Sequence, residues 1–189
     1  MAKFTVVFDA CVLYPAPLRD LLIQLATANL FQAKWTKQIH AEWVDGLLAN
    51  RPDLSRDSLA RTCALMDRAV PDCLVENYEY LLPAVKLPDP NDRHVVAAAL
   101  HSRSGAVVTF NLADFPAAEL ARFNIEAIHP DDFLTFQADL DLAVVLSAAK
   151  AVRARLNSPR KSAAEYLATL QTMSLPKTAS LLRQYEALI

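Results

Sequence analysis

Phe4-Thr5-Val6-Val7-Phe8-Asp9 is a run of aromatic and β-branched residues closed by an acid. Apolar and polar residues do not alternate along it. It therefore reads as a strand buried on both faces, expected over residues 3–9, as in a parallel sheet. A carboxylate is out of place in such a strand unless it does something there. In an open α/β sheet the carboxyl ends of the strands share one crevice, and ligands bind in it. Asp9 stands at that end. Its plain structural alternative is to cap a turn over Ala10-Cys11.

Working outward, strand and helix patterns alternate. Pro15 and Pro17 mark a turn, and Leu18 to Leu30 carries a helical stripe of Leu18, Leu21, Leu22 and Leu25. Phe31 to Trp35 reads as a short strand. Thr36 caps the next helix, which carries Glu42. Ser55 opens another helix, stopped by Pro71, and Cys73 to Glu76 reads as a strand. A proline-rich bend leads into a helix over residues 91–103, with Gly105 as its left-handed C-cap. Ala106 to Phe110 and Ile125 to Ile128 read as strands, with a helix over residues 117–122 between them and another over 130–138 after them. The alternation predicts α/β with a central parallel sheet, an α/β/α sandwich. From about Leu140 the pattern is helical only, broken at Asn157-Ser158-Pro159, with a capping box at Ser162-Ala163-Ala164-Glu165. The expected division is residues 1–139 for the α/β domain and 140–189 for a helical extension.

Further acids fall at strand ends and helix starts. In Asp89-Pro90-Asn91-Asp92, the acids and the proline also make a good helix start with no function at all. Asn111 and Asp114 directly follow the strand ending at Phe110. Glu42 lies on a helix, where a surface glutamate is ordinary. Carboxylates so far apart in sequence meet only where strand ends converge. Clustered like charges are costly without a cation, and Mg²⁺ or Mn²⁺ suits all-oxygen ligands. His94 and His101 are seven apart, without zinc-ligand spacing or cysteine companions. They read as surface or partly buried residues, with His94 near enough to Asp92 to touch a substrate. Cys11 is a nucleophile only if a histidine base stands beside it.

Composition narrows the field. The 189 residues, 53% hydrophobic, suit one folded domain with an extension. No apolar stretch reaches the ~18 residues of a membrane span. The few residues before Asp9 are too short for a signal-peptide core. Cys11, Cys63 and Cys73 read as free thiols in a reducing cytoplasm. With only Gly46 and Gly105, glycine-rich dinucleotide and P-loop motifs are excluded. The net charge of −2 is uneven: residues 1–139 carry 12 Lys+Arg against 18 Asp+Glu, and residues 140–189 carry 7 against 3. A basic tail on an acidic body points to a polyanion or an acidic partner, with a solvated helical face as the alternative.

Four segments, in order, resemble the PIN-domain nucleases, especially the VapC-type toxins of bacterial toxin–antitoxin pairs. They are Val7-Phe8-Asp9-Ala10-Cys11-Val12-Leu13-Tyr14, Ala41-Glu42-Trp43, Asp89-Pro90-Asn91-Asp92-Arg93-His94-Val95, and Val108-Thr109-Phe110-Asn111-Leu112-Ala113-Asp114-Phe115. The resemblance implies a metal-dependent endoribonuclease, with Asp9, Glu42, Asp92 and Asp114 holding Mg²⁺ or Mn²⁺. Asn111, Asp89 and Cys11 support them. Cys11 stands where the family often has Ser, Thr or Asn, and Asn111 where an acid is frequent. The helical tail looks like the extension of one longer subgroup. RNA and a cognate antitoxin are the partners so implied; a homodimer is a further expectation. Arg153, Arg155, Arg160 and Lys161 are expected to face RNA or an acidic antitoxin segment. The competing reading is a non-catalytic α/β interaction module whose acids serve only as helix and turn caps.

Overall fold

The computed structural model describes residues 4–157 and 159–189. Lys3, expected in the first strand, and Ser158, in the expected helix break, lie outside the described residues. In chain order the elements are β1 (Thr5–Phe8), α1 (Ala10–Leu13), α2 (Ala16–Thr27), β2 (Gln32–Lys34), α3 (Lys37–Asn50) and α4 (Arg56–Ala69). There follow α5 (Arg93–His101), β3 (Ala106–Val108), α6 (Ala117–Ala121), β4 (Glu126–Ile128), α7 (Pro130–Leu140), α8 (Leu142–Arg155), α9 (Ala163–Thr172) and α10 (Pro176–Arg183). Short 3₁₀ helices cover Glu79–Ala84, Pro90–Asp92, Leu112–Asp114 and Glu186–Leu188.

The strands form one all-parallel sheet in the order β2-β1-β3-β4. Val6, Val7 and Phe8 of β1, and all of β3, have no exposed surface, as central parallel strands require. Their register pairs Val6 with Ala106, Val7 with Val107 and Phe8 with Val108. β2 follows β1 on one side, and β3 lies on the other. The gap between β1 and β3 is thus the topological switch point, the place beyond whose carboxyl ends ligands bind in open α/β sheets.

The chain forms two compact units. One holds the chain up to Tyr14 together with Phe31–His129; the other holds Pro15–Leu30 and Pro130–Ile189. This grouping differs from the pattern-based division at 139–140 by α2 and α7. α7 packs on α8 and α10, and α2 runs along α8.

In the first unit, α5 packs on β1 and β3, α6 on β4, and α3 between α1 and α4. A buried polar chain fastens α3. Trp43 donates from Nε1 to His40 Nδ1 (3.0 Å), so the ring proton sits on Nε2, which donates to Asp67 Oδ1 on α4 (2.9 Å). The same oxygen accepts from Trp35 Nε1 (2.8 Å), just past β2. Two tryptophans therefore enter the core with their N–H groups satisfied.

Several local expectations change. The Pro15–Pro17 segment is the start of α2, because Pro15 takes the N-cap and Pro17 the first turn, where a missing N–H is harmless. Residues 73–76 form one parallel bridge, Trp35 to Leu74, and not a strand. Gly105 is not a left-handed cap: Arg103 has the positive φ (54°), and no described glycine does. A Cβ at Gly105 would lie 2.8 Å from the edge of the Phe4 ring, the far end of a side chain that is 47% exposed. Left-handed turns fall instead to Asn29, Asp72, Asn77, Asn124 and Ser174, besides Arg103; Asn and Asp tolerate that region better than other side chains. Thr36, Ser55 and the Ser162/Glu165 capping box act as expected.

In the second unit, α10 begins at Pro176 after Leu175, which has no capping side chain. The cap comes from α7. Buried Asp131 accepts from the backbone N–H of Lys177 (2.8 Å) and Thr178 (2.8 Å), and from the Thr178 hydroxyl (2.7 Å). A carboxylate at a helix N-terminus also meets the positive end of the helix dipole. Replacing it strands two buried donors. Asp131→Ala should therefore lower the unfolding free energy by ~2–3 kcal/mol. Lys177→Ala removes only an exposed ion pair to Asp132 and should leave the urea midpoint unchanged. Equal midpoints for wild type and Asp131→Ala would remove the capping role.

Candidate metal centre at the strand ends

Asp9 follows β1 directly, and its own N–H still bonds to Val108 of β3 (3.1 Å). The side chain is buried at 7% exposure. Its Oδ1 caps α1 by accepting from Ala10 N (2.7 Å). Its Oδ2 accepts from the Thr109 hydroxyl (2.7 Å) and the Cys11 thiol (3.1 Å). Three donors thus make a buried carboxylate tolerable and fix its orientation. Asp9 performs the capping alternative and still has lone-pair capacity to spare, since a carboxylate offers about four acceptor sites.

Thr109 was not singled out from the sequence. It directly follows β3, the neighbour of β1, so its hydroxyl falls beside Asp9. Asn111 N–H donates to the same hydroxyl oxygen (3.0 Å), and Phe110 N–H to Cys11 Sγ (3.3 Å). A hydroxyl at a strand end opposite an acid is the signal that could have identified it. Burial, and then the charge of Asp9, push the Cys11 thiol up to about 12. Cys11 stays protonated at neutral pH and serves as a hydrogen-bond donor, not a nucleophile.

The 3₁₀ turn Pro90–Asp92 separates two roles that the sequence merged. Asp89 is exposed and caps this turn through Asn91 N–H (2.8 Å). Asp92 heads α5 but makes no capping bond. Burial pushes its carboxyl up to about 6, helped by the nearby charges of Asp9, Asp89 and Asp114 and opposed by His94. The charges of three acids, from three separate segments, therefore reach Asp92. Asp114 ends the turn Leu112–Asp114 and is half-buried; Asn111 is exposed at its start.

Glu42 projects from α3 and is 38% exposed along its side chain. Its Oε1 accepts from His94 Nε2 (2.8 Å) and from Gln38 Nε2 (3.2 Å). His94 is buried at 4% exposure, deeper than its sequence suggested.

The donor set is made of hard oxygens, which fits Mg²⁺ or Mn²⁺. A divalent charge would relieve the repulsion that raises Asp92. Among the described residues, no group of three or more His, Cys, Asp or Glu side chains is drawn together tightly enough to hold a metal ion as it stands. The acids converge electrostatically without meeting at one point.

The basic tail is less free than its composition implies. Arg153 donates to the Lys161 carbonyl (3.1 Å), Lys161 bonds the Thr169 hydroxyl, and Arg155 donates to Gln24 (2.8 Å). Arg155 and Arg160 are exposed; Arg153 and Lys161 are half-buried.

A parallel sheet with acids at its switch point defines an α/β protein of the acid-site type. The PIN-domain family profile matches residues 5–113, and the chain belongs to that family. A second profile, the VapC50 C-terminal domain, matches residues 130–184. The chain is 53% identical over 49 residues to the "Putative ribonuclease VapC50" of Mycobacterium tuberculosis, a stretch covering 26% of this chain and 29% of that protein. The match thus spans under a third of that relative's length. No solved structure matches the chain. No helix among the described residues is long and apolar enough to cross a membrane.

The Asp92 shift has a definite sign. Its folded-state pKa, about 6, lies above the ordinary 3.8, so the native state holds the proton more tightly. Its contribution to stability therefore falls as pH rises from about 3.8 to about 6. In chelator-treated protein, Asp92→Asn should be more stable than wild type at neutral pH by ~1–2 kcal/mol, discounted for partial solvent screening. The two should converge at acid pH. A constant difference across a series of melts from acid to neutral pH would show that Asp92 is not under like-charge strain.

Proposed function

We propose that this protein is a metal-dependent endoribonuclease, the toxin of a type II toxin–antitoxin pair, acting in the cytoplasm. The observation that carries this reading is the raised, uncapped carboxyl of Asp92 among Asp9, Asp89 and Asp114 at the switch point of a PIN-family sheet. A module whose acids only capped helices would give the Asp92 carboxylate a hydrogen bond; the side chain has none among the described residues. The partial relative is named "Putative ribonuclease VapC50".

Asp9, Glu42, Asp92 and Asp114 would hold Mg²⁺ or Mn²⁺. When bound, such an ion supplies Lewis-acid stabilisation of phosphoryl oxygens and lowers the pKa of water for in-line attack. The chain's own groups do the positioning. Thr109, Cys11 and Ala10 hold Asp9 in one orientation before any ligand arrives. Preorganisation of this kind avoids rearrangement during reaction. Asn111, exposed at the lip, offers a neutral amide to a phosphate or a 2′-hydroxyl.

RNA must approach an acidic crevice, so cationic surface is required. Arg153, Arg155, Arg160 and Lys161 are proposed to supply it to RNA or to an acidic antitoxin segment. The exposed pair, Arg155 and Arg160, would carry most of the contact. Arg155→Gln with Arg160→Gln should weaken RNA binding and make it less salt-dependent. An unchanged slope over a salt series would assign these charges to a solvated face.

Asp9→Asn and Asp92→Asn should each reduce RNA cleavage at least ~100-fold, about 2.7 kcal/mol of transition-state stabilisation. Mn²⁺ should raise the melting temperature of the wild type and not of Asp92→Asn, because only native-state binding stabilises. Wild-type cleavage by either variant would sink the reading.

A further inference from the structure

His94 makes one hydrogen bond among the described residues, and that bond goes to Glu42. Its ring is buried at 4% exposure, yet Nδ1 has no partner. Nδ1 is thus a buried polar atom without a hydrogen bond, which is unfavourable. An apolar side chain would fill that position without this penalty. The bond to Glu42 is therefore what a histidine here provides.

The contacts on Glu42 are one-sided. His94 Nε2 (2.8 Å) and Gln38 Nε2 (3.2 Å) both donate to Oε1. Gln38 is itself oriented by the buried Tyr78, whose hydroxyl donates to Gln38 Oε1 (3.4 Å). Among the described residues nothing donates to Glu42 Oε2. A half-exposed glutamate on a helix samples many rotamers. Two donors on one oxygen select among them and leave the other oxygen available.

We propose that His94 is a positioning residue for the metal centre: it clamps Glu42 through Oε1, so that Oε2 is the oxygen left to ligate a divalent cation. His94 lies two residues after Asp92 on the first turn of α5, while Glu42 comes from α3. The clamp thus ties the helix that bears one acid to the helix that bears another. Outer donors that orient ligating carboxylates commonly affect metal affinity as strongly as this role requires. The proposal rests on the reading of Glu42 and Asp92 as cation ligands.

The test is Mn²⁺ binding by calorimetry on the full chain, with metal-free melts and RNA cleavage recorded alongside. His94→Leu should fold at least as stably without metal, yet bind Mn²⁺ ~10–100-fold more weakly. His94→Gln should recover most of the affinity, because its amide nitrogen reaches the same oxygen. His94→Asn, one methylene shorter, should not. In a Glu42→Ala background, His94→Leu should have no further effect, since the two act as one unit. If His94→Leu does not fold, the Gln and Asn variants decide. Equal affinity for wild type, His94→Gln and His94→Asn overturns the clamp, as does an additive loss in the Glu42→Ala background. Asp92→Asn separates the two failures. If Asp92→Asn loses Mn²⁺ and the His94 variants do not, only the clamp is wrong. If Asp92→Asn binds as wild type does, the cation-ligand reading falls and the clamp with it.

Discussion

The pairing of β1 with β3 is the constraint from which the site follows. It places Phe8 opposite Val108, so the next residue of each chain segment leaves the sheet at the same level. One of those segments brings a carboxylate, Asp9, and the other a hydroxyl, Thr109, which meet at 2.7 Å. Had the register slipped by one residue, side chains would have exchanged faces and the buried acid would have lost its partner. The apolar side chains of β1 and β3 specify the pairing strongly because both strands are enclosed. The cost of enclosing Asp9 is offset by groups that the same pairing delivers.

Around that fixed carboxylate the remaining acids are held more loosely, and by different means. Asp89 spends its charge on a helical turn. Asp92 spends none, which is why burial and its neighbours act on it unopposed by a donor. Glu42 depends on α3, and α3 is fastened by the Trp43–His40–Asp67–Trp35 chain rather than by the sheet. The proposed site thus draws on a strand end and two helices, each with its own attachment to the core.

Much of this was legible in the chain. The strand before Asp9, the alternation of elements, the Thr36 and Ser55 caps and the capping box at Ser162 are local patterns, and local physics decides them. What was hidden depends on contacts far apart in sequence. Thr109 is an ordinary residue until β3 lies beside β1. His94 looks like a surface histidine until α5 packs on the sheet and Glu42 reaches it. Gly105 invites a left-handed reading, and the positive φ falls instead two residues earlier, at Arg103. Residues 73–76 are β-prone but find a partner for a single bridge at Trp35. The Pro15–Pro17 segment was misread because prolines that end one helix also begin another.

The cap that Asp131 supplies to α10 bears on the order in which the chain acquires structure. A short helix starting at Leu175-Pro176 has no stop signal of its own for its first amides, and alone it would fray. Its missing acceptor lies 46 residues earlier, on α7. α7 is translated first, so the acceptor precedes in synthesis the amides that it caps. The start of α10 is therefore specified by a contact distant in sequence and not by a capping residue of its own.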